Sequence, residues 1–133
     1  MPALMAFMNV MIVDDNALFA RLMGMAAADF LPAAKVSVYT SSRVAMRAFD
    51  RSPNKWAALI TDLLLPGDID GLTLAEHITA ARPVPVLFVT AYALDQDPET
   101  RARIGRVGGC VSKEQPIAVI FERLRDLLGA PLV

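Results

Sequence analysis

Five side chains carry most of the chemistry open to this sequence: the adjacent carboxylates Asp14 and Asp15, a third carboxylate at Asp62, the hydroxyl of Thr90 and the amine of Lys113. Clustered carboxylates repel and raise one another's pKa unless a cation sits among them. A hard divalent ion of the Mg2+ type takes a few carboxylate oxygens, keeps several waters and leaves room for a phosphate oxygen. In that setting Lys113 can hold a phosphoryl oxygen as a point charge, and Thr90 can donate to another. Asp62 can then attack phosphorus in line and form an acyl phosphate. Nothing suggests a serine–histidine–aspartate or cysteine–histidine arrangement. His77 falls in the middle of a helical pattern, and the single Cys110 excludes an intramolecular disulfide and any CxxC metal knuckle.

These residues are scattered along the chain, so elements must bring them together. Apolar runs at residues 9–13, 35–39, 56–61, 84–89 and 109–112 alternate with amphipathic stretches. Three of the runs are nearly uninterrupted, as in parallel strands covered on both faces. The clearest helical pattern spans 116–128, where Ile117, Ile120, Phe121, Leu124 and Leu128 share a face opposite Arg123, Arg125 and Asp126. Ser41 or Ser42 caps a helix over 44–49, Asp70 and Gly71 lead into one over 72–81, and Asp97, Pro98 and Glu99 start another. Strand–helix pairs repeated in this way predict a doubly wound, five-stranded parallel sheet with helices on both faces. Ligands bind such sheets beyond the carboxyl ends of the strands. Asp14 and Asp15 end the first strand, Asp62 the third, Thr90 the fourth and Lys113 the fifth, whereas Tyr39 and Thr40 end the second at the sheet's edge.

Taken singly, each residue has a plainer reading. Asp15 suits the N-cap of a helix over 16–30, Asp62 a turn cap, Thr90 a β-branched strand position and Lys113 a solvated charge. Weight comes from the conjunction, with the expected type at each of four strand ends, and from the scarcity of lysine, three residues against ten arginines.

Composition narrows the field further. The chain has 133 residues, 55% of them hydrophobic and 20% charged, which suits one domain spanning 1–133. A net charge of −1 gives no bulk electrostatic reason to expect nucleic acid or an acidic membrane as partner. The longest apolar run, 83–94, holds two prolines and is too short for a membrane span. Residues 1–13 lack the basic start and polar cleavage region of a signal peptide, and an unpaired cysteine suits a reducing compartment, so the chain reads as cytoplasmic.

The motifs VMIVDD at 10–15, LITDLLLP at 59–66 with DG at 70–71, FVTA at 88–91 and VSK at 111–113 resemble the receiver domain of two-component response regulators, in family order and over essentially the whole chain. The resemblance implies a flavodoxin-like (βα)5 fold and a phosphoacceptor at Asp62. It implies Mg2+ held by Asp15 and Asp62, by the Leu64 backbone carbonyl and, largely through water, by Asp14. It implies that Thr90 follows the phosphoryl group inward while Lys113 bridges Asp62 or a phosphoryl oxygen. The phosphodonor would be a histidine kinase or a histidine phosphotransfer protein, and the reaction self-phosphorylation rather than multiple-turnover catalysis.

The sequence departs from the family at several positions. The family's aromatic residue three positions before the lysine is Cys110 here, too small to fill and vacate a pocket as Thr90 moves. Tyr92 offers a substitute lever, against the plainer reading of a solvent-facing loop aromatic. Glu114 replaces the proline that usually follows the lysine, so a trans bond is expected there. The loop from Pro66 to Gly71 is about one residue longer than the commonest family spacing, which adds Asp68 near the rim as a solvated turn residue. Leu64 places an apolar side chain where polar ones are common, which predicts slow loss of the phosphoryl group to water.

With no output domain expected after 128 and no basic stripe for DNA, the expected output is association with a downstream protein or a second copy. The expected surface is the helix 4–strand 5–helix 5 face, with Arg101, Arg103, Arg106, Arg123 and Arg125 on it. Two other readings stand beside this one. A receiver-fold binding module working without phosphate would suit Cys110 and Glu114. A phosphatase with an aspartate nucleophile would commonly carry a second aspartate two residues on, where this chain has Leu64.

Overall fold

The computed structural model describes residues 8–91 and 97–129. Strands β1 (Met8–Val13), β2 (Ala34–Tyr39), β3 (Trp56–Thr61), β4 (Val86–Thr90) and β5 (Gly109–Ser112) form a parallel sheet in the order β2-β1-β3-β4-β5. Helices α1 (Ala17–Phe30), α2 (Ser42–Arg51), α3 (Gly71–Ala81), α4 (Pro98–Val107) and α5 (Ile117–Leu128) alternate with the strands. This is the doubly wound architecture expected from the alternation of apolar runs.

Both faces of the sheet are covered because its strands are apolar at successive positions. Met11, Val13, Leu59 and Phe88 pack with Phe49 of α2, Leu74 and Ile78 of α3 and Ile104 of α4. Their sequence neighbours Val10, Ile12, Ile60, Leu87 and Val89 face the other way, onto Met23 and Ala27 of α1 and Phe121 and Leu124 of α5. Phe30 stacks on Phe121 with ring centroids 5.3 Å apart, closing the far end of the α1–α5 layer.

Local chemistry sets the element ends and corrects three expected boundaries. The first helix starts at Ala17, because the Asn16 side chain, not Asp15, accepts the Phe19 N–H at 3.0 Å. The fourth strand begins at Val86 rather than 84: Pro83 and Pro85 have no N–H for the ladder, although the Pro85 carbonyl still accepts from Leu59 at 2.9 Å. The second helix is longer than 44–49 and is capped by Ser41, which accepts from the Val44 N–H. Ser42 is buried instead and donates to the Ile69 carbonyl.

Register carries the fold to the site. Val13 pairs with Thr61 across β1 and β3, and Thr90 pairs with Ser112 across β4 and β5. Thr61 pairs in turn with Phe88, so β4 and β5 run two residues past β1 and β3, and Asp14, Asp62 and Lys113 each stand one residue beyond their strands. Each of those three continues the ladder with its own N–H: Asp14 to Tyr39 O, Asp62 to Val13 O and Lys113 to Thr90 O, all at 3.0 Å. The β1–β3 boundary, where the chain order departs in opposite directions, is also where ligands bind in open parallel sheets.

Candidate phosphoacceptor site

Asp14 and Asp62 are buried at the carboxyl end of the sheet, and the Lys113 ammonium lies between them. Its Nζ is 2.8 Å from Asp14 Oδ2 and 2.9 Å from Asp62 Oδ2. Asp15, exposed on the same rim, completes a group in which one oxygen from each of the three carboxylates lies within 4.8 Å of the others.

Both aspartates are also fixed from the backbone side. Asp14 Oδ1 accepts from the Asn16 N–H at 2.9 Å, and Asp62 Oδ1 takes a long contact from the Leu64 N–H at 3.4 Å. Gly71, at the start of α3, lies so close to Asp62 that an added Cβ would sit 1.6 Å from the Asp62 carbonyl oxygen. Only glycine permits this approach. The Gly71 N–H donates to Leu63 O at 3.0 Å, which folds the loop after Asp62 back onto the strand end.

Electrostatics follow from burial. Desolvation raises the Asp14 carboxyl above its ordinary range, although hydrogen bonds from Lys113 and Asn16 work against it. Burial acts to lower the Lys113 pKa, but its hydrogen bonds to Asp14 and Asp62 outweigh that and raise it, so the amine stays charged. Three carboxylates face one ammonium, and a carboxyl held up by burial gains from a further cation. The donor set is hard oxygen, which fits Mg2+.

The structure thus brings Asp14, Asp15, Asp62 and Lys113 together. Thr90 is buried at the end of β4, with its carbonyl bound to the Lys113 amide. Leu64, two residues after Asp62, has its side chain turned to solvent, 54% exposed. Cys110 pairs with Phe88 in the ladder and is half-buried against the α2–α4 layer, where burial pushes its thiol pKa up and Arg123 partly opposes. Tyr92 lies outside the described residues. The bond before Glu114 is trans, as expected. Asp68 stays out of the carboxylate group, with both its oxygens taken by Arg43 at 2.5 and 2.6 Å.

The expected arginine face needs correction. Arg101, Arg106 and Arg123 are exposed, but Arg103 forks onto Glu76 of α3 at 2.6 and 3.0 Å. Arg125 turns toward α1, donates to Phe30 O at 2.7 Å and lies 5.9 Å from the Phe30 ring. Helix periodicity placed it on the polar side, but its long stem reaches across the α1–α5 boundary. The Phe19 ring, 4.7 Å from Lys113 Nζ, is a further neighbour of the site that sequence reasoning missed.

The sequence model of the response regulator receiver domain matches residues 10–125. The chain belongs to that family. Solved structures agree on the fold: a response regulator receiver protein from Sinorhizobium medicae WSM419 superposes with a TM-score of 0.80 at 17% identity, covering 93% of this chain and 96% of that one. A receiver domain protein from Clostridium thermocellum gives 0.79 at 14% identity, over 92% and 94%. A CheY-like receiver domain protein from Methanospirillum hungatei JF-1 gives 0.76 at 20%, over 92% and 94%. Receiver domains are generally signalling domains, and this one carries the acidic cluster through which they typically bind Mg2+.

Proposed function

We propose that this receiver domain accepts a phosphoryl group on Asp62 from a histidine kinase or histidine phosphotransfer protein and signals by phosphorylation-dependent association. The observation that carries this reading is the Lys113 ammonium shared between Asp14 and Asp62, with Asp15 completing the carboxylate group. Asp62 attacks phosphorus in line as the donor's P–N bond breaks. Lys113, already charged and on the spot, follows the negative charge from the Asp62 carboxylate to a phosphoryl oxygen, and the Thr90 hydroxyl donates to another. Asp14, Asp15, Asp62 and the Leu64 carbonyl would hold Mg2+, which neutralises charge between carboxylates and phosphate when bound.

The outer side of α1 supports a protein donor. Leu18, Leu22 and Met25 are exposed at i, i+4 and i+7, on the helix whose first turn adjoins Asp14 and Asp15. Such a stripe suits an amphipathic helix delivering a phosphohistidine to the rim. On the output side, the exposed Arg101, Arg106 and Arg123 around α4, β5 and α5 offer a downstream protein or a second copy its contact. Among the described residues no helix is long and apolar enough to cross a membrane.

Intact-mass spectrometry after incubation with acetyl phosphate or phosphoramidate tests the reading. One Mg2+-dependent phosphoryl adduct is expected on the wild type and none on Asp62→Asn. A folded wild type that takes no adduct would favour a phosphate-independent binding module, the reading to which the small half-buried Cys110 lends itself.

A further inference from the structure

Lys113 is held by more than its two carboxylates. Its Nζ lies 4.7 Å from the centroid of the Phe19 ring, in the first turn of α1. A ring face attracts an ammonium through its quadrupole, more strongly where water is excluded, and the Lys113 side chain is only 20% exposed. The contact also closes a circuit. Lys113 binds Asp14 Oδ2, Asp14 Oδ1 accepts the Asn16 N–H, the Asn16 side chain accepts the Phe19 N–H, and the Phe19 ring returns to Lys113. The cap that starts α1 therefore fixes an aspartate and an aromatic ring on the same cation.

We propose that Phe19 is a positioning residue for phosphoryl transfer, its ring face holding the Lys113 ammonium at the rim while that ammonium exchanges an Asp62 oxygen for a phosphoryl oxygen. The inference rests on the reading of Asp62 as acceptor. Acyl phosphate formation removes the full negative charge from the Asp62 carboxyl, so Lys113 must let go of it and follow the charge outward. A long flexible amine without other support would exchange that partner for water. A third carboxylate in place of the ring would hold the ammonium but compete with the phosphoryl group for it. A neutral ring holds the ammonium without competing for it, and its weak directionality lets the ammonium slide without losing contact.

Packing alone would also place an aromatic ring here, since Phe19 adjoins the α1–α5 core layer, and the test separates the two roles. Acetyl phosphate labelling rates are measured with saturating Mg2+ for Phe19→Leu and Phe19→Tyr, each made in the wild type and in Lys113→Met. Phe19→Leu is expected to slow labelling about threefold to tenfold in the wild type, and Phe19→Tyr to stay within about twofold. In the Lys113→Met background, Phe19→Leu should change the rate by less than about twofold. Equal slowing in both backgrounds, or no slowing in the wild type, overturns the proposal and leaves Phe19 a packing residue. Should the leucine variant fail to fold, proton NMR of the unmodified wild type decides: the Lys113 ε-methylene should be shifted upfield by the ring relative to that of exposed Lys35, and coincident shifts would overturn the contact. A folded wild type that takes no label defeats the acceptor reading and this inference together, whereas labelling that ignores Phe19 defeats only the latter.

Discussion

The two ends of β5 differ in how firmly their surroundings are held. At Lys113 the ammonium meets two buried carboxylates and a ring, its amide is bound to Thr90 O, and the aspartates are tied by further backbone N–H groups. Three residues earlier, Cys110 offers a small half-buried side chain, and the neighbouring α4 is joined to α3 by a pair, Arg103 and Glu76, whose side chains are each more than one-third exposed. The chemical end is overdetermined, while the flank expected to report on it is fastened by contacts that solvent weakens. Such a division lets the flank respond to a small change at the rim without the rim losing its geometry.

The sharpest way to break the contrast is to spoil the rim's packing. Gly71→Ala drives a methyl into the Asp62 carbonyl and should cost about 3 kcal/mol or more in urea unfolding, with labelling lost alongside. Lys113→Met removes the cation while keeping the stem, and should slow acetyl phosphate labelling about tenfold to a hundredfold, or about 1.4 to 2.7 kcal/mol of barrier. Cys110→Ala, at the other end of the strand, should leave the same rate within about twofold, because the side chain packs against the α2–α4 layer.

Smaller effects sharpen the picture. Leu64→Asn replaces the apolar neighbour of Asp62 with one that can orient water, and should speed loss of the phosphoryl group about threefold to tenfold in a chase after donor removal. The Arg103 hydrogen bond lowers the Glu76 pKa below the ordinary carboxylate range. Its contribution is therefore present above the unfolded pKa and lost as pH falls through the lower folded one. Glu76→Gln should flatten that acid-side loss by less than about 1 kcal/mol, and added salt should shrink the difference, as denaturant midpoints between pH 3 and pH 7, roughly, will register.

What the sequence disclosed depended on how local the cause was. The runs through Ile12, Ile60 and Val89 are apolar on both faces because helices cover both, so strand identity and sheet type were legible. Asp14, Asp62, Thr90 and Lys113 stand at strand ends, and a parallel sheet gathers all of those ends on one edge, so the rim is legible in the sequence. Nothing local separates Asn16 from Asp15 as the helix cap, since both have the same aptitude, and only geometry shows which oxygen meets the Phe19 amide. Contacts between distant elements left no pattern to read. Phe19 on Lys113, Arg125 on Phe30 O and Arg103 on Glu76 each depend on how far a helix stands from its neighbour.

The loop between β3 and α3 is tied down away from the carboxylates. Ser42 holds Ile69 O, Arg43 takes both oxygens of Asp68, and Gly67 turns the chain at a φ of 93° with open space around its α-carbon. Length added beside Gly67 should thus be absorbed on the α2 side of a staple, away from Asp62. For anyone wishing to attach a fluorophore or graft an epitope near the proposed phosphorylation site without disturbing it, the open turn at Gly67 is the position to use.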